Sequence, residues 1–139
     1  MQKINVARVV MGGIVAGVVI NVGEFILNML VLGDEMAAGL AKLNLPPVGG
    51  QSIGIFVALA FALGIATIWL YAAIRSRYSP GPKTAMCAGS AVWFFAYAYP
   101  SVGSAVMGFF PANLLAIGVA WGLGEILIAS LAGAYFYKE

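Results

Sequence analysis

Histidine is absent from the 139 residues, cysteine occurs once, and Asp, Glu, Lys and Arg together make up 9% of the chain. Each scarcity removes a class of chemistry. Without histidine there is no His-based triad and at best a poor zinc site, and Cys87 alone can form no internal disulfide. About a quarter of the residues of a soluble domain are charged, so this chain has no solvated domain in which conventional soluble chemistry could be housed. The net charge of +2 is too small to recruit nucleic acid, and where the charges fall matters more than their sum.

Apolar residue types dominate, at 63% of the chain, and the mean hydropathy is +0.99. Such a composition belongs in a bilayer, as one integral membrane domain over residues 1–139. Apolar stretches long enough to cross roughly 30 Å of hydrocarbon fall at residues 6–32, 52–74, 83–109 and 112–137. The expected fold is therefore all-α, a four-transmembrane-helix bundle. Strands are not expected, because an open sheet in lipid leaves backbone groups unpaired and the runs lack the alternation of a barrel. The opening Met1, Lys3, Arg8 and apolar run has the order of a signal peptide, but the run is too long, and it reads as a retained first span.

Helix stops separate the runs: Gly33-Asp34-Glu35, Pro46-Pro47-Val48-Gly49-Gly50, Ser79-Pro80-Gly81-Pro82 and Pro111. Pro100 is the exception. It falls inside the third run, where it removes a backbone donor and crowds the Ala96 carbonyl, so the third helix is expected to kink there. Lys3, Arg8, Arg75, Arg77, Lys83 and Lys138 lie at one set of span ends and only Lys42 at the other, which predicts cytoplasmic termini and a cytoplasmic 75–83 loop. Trp69, Tyr71, Tyr78, Tyr135 and Tyr137 then form an aromatic belt on that side. In the outer loop, residues 33–51, Met36, Leu40 and Leu43 share one helical face. They predict either a short interfacial helix or a continuation of the first span.

Polar residues inside the apolar runs are few. Asn21, Glu24 and Asn28 are spaced three and four apart, forming one stripe continued by Gly17 and Gly13. An ionised carboxylate in hydrocarbon is costly, so Glu24 must be protonated, paired or beside water. The segment "GVAWGLGEILIA" (118–129) aligns without gaps on "GVVINVGEFILN" (17–28), matching Gly17 to Gly118, Val18 to Val119, Gly23 to Gly124 and Glu24 to Glu125. Inverted repeats in transporters produce such matches, but a four-span chain does not divide simply into inverted halves, so convergence on a site is the expected origin. Ser90, Tyr97, Ser101 and Ser104 mark a face of the third run. At 1.5 Å per residue Glu24, Tyr97 and Glu125 lie at depths of roughly 12, 16 and 20 Å, within side-chain reach of one another. A polar pocket lined by Asn21, Glu24, Asn28, Tyr97, Ser101 and Glu125 follows.

The second run carries Ala58, Ala62 and Ala66 at four-residue intervals, a stripe suited to close helix packing. Arg75, Arg77 and Lys83 could bind anionic lipid headgroups, although such clusters more often only set topology. Trp93, Tyr97 and Trp121 could offer their ring faces to a cation or simply pack. Cys87, with no base nearby in sequence, reads as a buried inert thiol. No nucleophile, metal set or cofactor motif is present, and no enzymatic function is expected.

Two readings of the glutamates stay open: a structural pair hydrogen-bonded to the asparagines, or a site exchanging a proton or cation. The corresponding functions are a small proton- or cation-linked transporter or permeation module, and a non-catalytic accessory subunit of a larger membrane complex, in which the glutamates pair with a partner's basic group or ligate a cofactor. In either case so short a chain is expected to self-associate or join a larger assembly. The stretches "WLYAAIRSRYSPGPKTAMCAGSAVWFFAY" (69–97) and "RVVMGGIVAGVVINVGEFILN" (8–28) resemble a family of small uncharacterised bacterial four-span membrane proteins. That resemblance implies a bacterial inner-membrane location and no particular chemistry. The chain is also similar to the small multidrug resistance transporters in its length and first-span glutamate, but it lacks their tryptophan-rich surroundings and adds Glu125.

Overall fold

The computed structural model describes residues 3–137, so Met1 and Lys138 of the topology pattern lie outside the described residues. Helix α1 (Val6–Phe25) starts at Asn5, whose side-chain oxygen accepts the Arg8 N–H at 3.2 Å and caps the first turn. It passes directly into a π segment, Ile26–Val31, where bonds reach five residues back, as in Leu32 N–H to the Leu27 carbonyl at 2.7 Å. Leu32 leaves helical geometry and a separate helix, α2 (Gly33–Lys42), begins. Asp34 and Glu35 occupy its first turn and Lys42 its last, each opposite in sign to the dipole end it meets. The sequence that stops the first span thus also opens the next helix.

Met36, Leu40 and Leu43 share the expected face of α2, half-buried against the protein. Met36 joins Leu27, Leu32, Leu114, Phe110 and Trp121 in a small cluster at that end of the bundle. Helix α3 (Gly50–Tyr78) follows the Pro46-Pro47 pair and ends with Arg75 and Arg77. The turn after it needs Gly81, at φ +143°, before Pro82 opens α4 (Pro82–Trp93).

A second π segment, Phe94–Ala98, leads into α5 (Tyr99–Val106). Here the Tyr99 N–H bonds the Phe94 carbonyl, five residues back, one position before Pro100. The irregularity expected at Pro100 therefore takes the form of a widened turn, which relieves the crowding of its ring against the preceding carbonyls. The path from Pro82 to Val106 is helical in three pieces. Helix α6 (Ala112–Phe136) completes the order.

Among the described residues, three stretches are long and apolar enough to cross a membrane: Val6–Val31, Gly50–Tyr78 and Ala112–Phe136. Helix α1 packs against α3 and α6, and α4 packs against α6 and α3, so the four close a ring. Small residues set the contacts. A Cβ on Gly13 would lie 2.5 Å from the Ile65 Cα, and one on Gly12 would lie 2.5 Å from the Gly133 carbonyl oxygen. Large side chains such as Phe25, Leu30, Phe56, Phe95 and Val106 point outward. A small-residue interior under a large apolar exterior is the arrangement of a membrane helix bundle.

Three expectations are corrected. Ala58, Ala62 and Ala66 face outward; α3 packs instead through Ala60, Gly64, Thr67 and Ile68, and the buried Thr67 hydroxyl donates to the Leu63 carbonyl at 2.7 Å. A helix apolar on every side has no periodic signal to mark its buried face. Cys87 is exposed on the outer side of α4, because Ala85, Ala88 and Gly89 form the packed side. Tyr71 and Tyr137 are core residues and not belt residues, with rings edge to face at 6.0 Å. The Gly81 N–H donates to the Tyr71 hydroxyl at 3.3 Å, and the Asn5 N–H donates to the Tyr137 hydroxyl at 3.2 Å. Trp69, Tyr78 and Tyr135 are exposed.

Candidate functional site

Glu24 ends the last full turn before the first π segment, and that segment places Asn28 beside it. The Asn28 amide donates both to Glu24 Oε2 at 2.8 Å and to the Glu24 backbone carbonyl at 2.9 Å. Across the bundle, the second π segment presents Tyr97, whose hydroxyl donates to Glu125 Oε1 at 2.8 Å. The Glu125 carboxyl packs on Gly23, the residue next to Glu24. The two glutamates are therefore neighbours within one chain.

Glu125 is the buried member, 6% exposed, and its Oε2 has no hydrogen-bond donor. Two glycines make room for this arrangement. A Cβ on Gly23 would collide with the Glu125 carboxyl, and one on Gly122 would collide with the Tyr97 ring. The Trp121 indole N–H closes the notch by donating to the Gly23 carbonyl at 3.2 Å, and the Trp93 indole N–H ties the end of α4 to α6 through the Val119 carbonyl at 2.8 Å. These tryptophans act as interhelical ties, the usual fate of an indole N–H taken out of water. Gly23 and Gly122 were not legible as site residues, since glycines recur throughout the chain and Gly124, the one next to Glu125, meets nothing within 4 Å.

The remaining predicted site residues separate from this cluster. Asn21 donates to the Gly17 carbonyl at 2.9 Å and reaches the Val57 carbonyl at 3.4 Å, joining α1 to α3. Ser101 is half-buried one turn beyond Tyr97, with no hydrogen bond to the cluster among the described residues, and Ser90 is exposed. The π segment inserts an extra residue per turn between Ser90 and Tyr97, so the face read from α-helical spacing breaks there. Arg77 and Lys83 are exposed, while the Arg75 guanidinium lies over the Tyr71 and Tyr137 rings at 5.8 and 5.1 Å. Arg75 thus helps join helix ends and is not simply displayed to headgroups.

The repeated segments are not equivalent in space. Gly23 is filled by Glu125 and Gly17 by Phe61, whereas Gly124 and Gly118 meet nothing within 4 Å.

The cluster contains two carboxyls, a phenol and a carboxamide, with no lysine or arginine between residues 9 and 41, 43 and 74, or 84 and 137. The fold and site together define a helix bundle with three membrane-capable helices and two glutamates on facing helices. No family model matches the chain, and no curated protein or solved structure matches it.

Proposed function

We propose that the protein is a four-span membrane protein of the bacterial inner membrane with both termini cytoplasmic, serving as a small proton- or cation-linked transporter or permeation module. The observation that carries this reading is the Glu125 Oε2 atom, buried without a donor in a side chain packed on Gly23, next to Glu24, and far from any basic side chain in sequence. A purely structural carboxyl would be expected to have its oxygens satisfied by fixed donors. Both π segments adjoin this cluster, and such segments occur often at functional sites because they re-aim side chains at a cost in helix regularity. The fourth span is Pro82–Val106, whose interruption supplies Tyr97. The positive-inside pattern of Lys3, Arg8, Arg75, Arg77 and Lys83 against Lys42 supports the orientation.

The test is reconstitution into vesicles containing a pH-sensitive dye, followed by imposed proton and cation gradients. Wild-type protein should dissipate them and Glu125→Gln should not, at equal incorporation and helicity. Equal leakage from both would remove the transport reading.

A second reading, an accessory subunit of a larger membrane complex or a homo-oligomer, is favoured by the outer part of α3. Every residue from Gln51 to Leu59 is exposed, although this segment belongs to a membrane-capable helix. Crosslinking from positions 54 and 58 in native membranes separates the cases: stoichiometric adducts to other chains support assembly, and lipid-only labelling removes it.

A further inference from the structure

We propose that the cavity between α2 and the start of α6 binds one zwitterionic phospholipid with a primary ammonium, its headgroup spanning Lys42 and Glu35. The site is separate from the glutamate cluster and does not depend on transport. The cavity holds about 650 Å³, a volume ordinary for a small-molecule site. Glu35, Ala38, Gly39, Lys42 and Leu43 line it from α2 at successive spacings of three, one, three and one, so a single face of that helix is given over to it. Phe110, Asn113, Leu114 and Ile117 line it from the other side. A Cβ on Gly39 would lie 2.7 Å from the Phe110 ring, so the two walls touch at that level.

The charges on the α2 wall select a dipolar ligand. Glu35 and Lys42 are both exposed, and Lys42 is the one lysine or arginine between residues 9 and 74. Asp34 also meets the N-terminal end of the α2 dipole, so the dipole alone does not call for Glu35 on this wall. Seven residues apart, the two charges are separated by roughly 10 Å along the helix axis and address two different groups of a ligand. A phosphate and an ammonium joined by a two-carbon link, with a hydrogen bond of about 2.8 Å at each end, cover a comparable span. Lys42 meets the phosphate as a point charge, the Glu35 carboxylate accepts from the ammonium, and the Asn113 carboxamide supplies a further donor. A purely anionic headgroup would face Glu35, and a purely cationic one would face Lys42.

The apolar lining assigns the ligand to the bilayer. Phe110 and Leu114 belong to the apolar cluster at this end of the bundle, and the cavity lies where α6, a membrane-capable helix, begins. Below it Ile117, Ala120, Gly124, Ile128 and Leu131 form one exposed stripe along α6, at spacings of three and four. Ala120 and Gly124 leave that stripe shallow in its middle, and nothing lies within 4 Å of the Gly124 Cβ position. An acyl chain descending from the headgroup lies along this track.

Native mass spectrometry of the delipidated full-length protein tests this, with phosphatidylethanolamine, phosphatidylcholine and phosphatidylglycerol of identical chains added separately. One phosphatidylethanolamine per chain is expected, bound about tenfold more tightly than the others, because a quaternary ammonium has no N–H for Glu35 and a glycerol headgroup has no positive charge. Glu35→Gln should bring phosphatidylethanolamine down to the level of phosphatidylcholine, whereas Lys42→Gln should weaken all three about tenfold. Both side chains are exposed, so helicity by circular dichroism should match wild type. Ala38→Trp, which fills the cavity, should remove the one-lipid species. Equal retention of the three lipids by wild type, or a preference unchanged in Glu35→Gln, would overturn the proposal. Competition by soluble glycerophosphoethanolamine at the same concentration as the lipid would overturn the bilayer assignment in favour of a free solute. Dimers that exclude the lipid and are lost in Ala38→Trp would give the cavity to a second copy of the chain instead.

Discussion

Glu125 is seated on Gly23: a methyl group at Gly23 would occupy the position of the Glu125 carboxyl. The two residues lie on antiparallel α1 and α6, and the Trp121 indole bonds the same Gly23 carbonyl. The carboxyl thereby rests in a gap that only glycine leaves open, beside Glu24.

Gly23→Ala should therefore displace Glu125 and destabilise the bundle by about 1–3 kcal/mol, the usual range for overpacking a close contact. Gly124→Ala, at the matching repeat position where nothing lies within 4 Å, should change stability by no more than about 0.5 kcal/mol. Unfolding in mixed micelles with rising SDS, followed by circular dichroism, measures both; equal losses would contradict the geometry.

The Gly23 contact can also be relieved from the opposite side. Glu125→Ala vacates the notch, so the double variant Gly23→Ala/Glu125→Ala should be less destabilised than the sum of its parts, with a coupling of about 1 kcal/mol. A strictly additive result would show that the two residues do not share the space described.

The two asparagines should behave differently. Asn28→Ala removes a donor from Glu24 Oε2 and should shift the carboxyl bands in infrared difference spectra. Asn21→Ala removes the bonds to Gly17 and Val57 and should leave those bands in place, with a stability loss of about 0.6–1.7 kcal/mol.

Topology can be read with single cysteines in a Cys87→Ser background. Lys42→Cys should react with a membrane-impermeant maleimide added outside intact cells, and Arg77→Cys should react only after permeabilisation. The reverse pattern would invert the orientation derived from the positive charges.

At the end of the bundle holding Tyr137, Tyr137→Phe removes the acceptor of the Asn5 N–H while preserving the ring contacts with Tyr71 and Arg75. A loss of about 1 kcal/mol is expected in the same SDS titration, in line with a single hydrogen bond. Tyr78→Phe, at an exposed ring, serves as the neutral comparison.

Composition and run length alone determined that this chain is helical and suited to a membrane, because apolar runs of this length have no other way to satisfy their backbone groups in lipid. The three membrane-capable helices start and stop close to the expected boundaries, where Pro, Gly and charge interrupt hydropathy. The sequence also singled out Glu24, Asn28, Tyr97 and Glu125, since polar side chains are conspicuous against such a background. It could not separate Asn21 from that set, because one helical stripe faces two neighbours at once: Asn21 turns to α3 while Gly23 receives Glu125 from α6.

Only the tertiary structure decided which face of α3 is buried, that Cys87 points outward, and that Gly23 and Gly122 form the seats of the site. These are relations between residues far apart in the chain, such as Trp121 and Gly23, separated by 98 positions. Helices that are apolar on every side carry no periodicity to announce such contacts. The two π segments lay equally beyond the sequence reading, because they shift the register on which spacing rules depend, and they do so beside Asn28 and Tyr97, where the carboxyl pair is assembled.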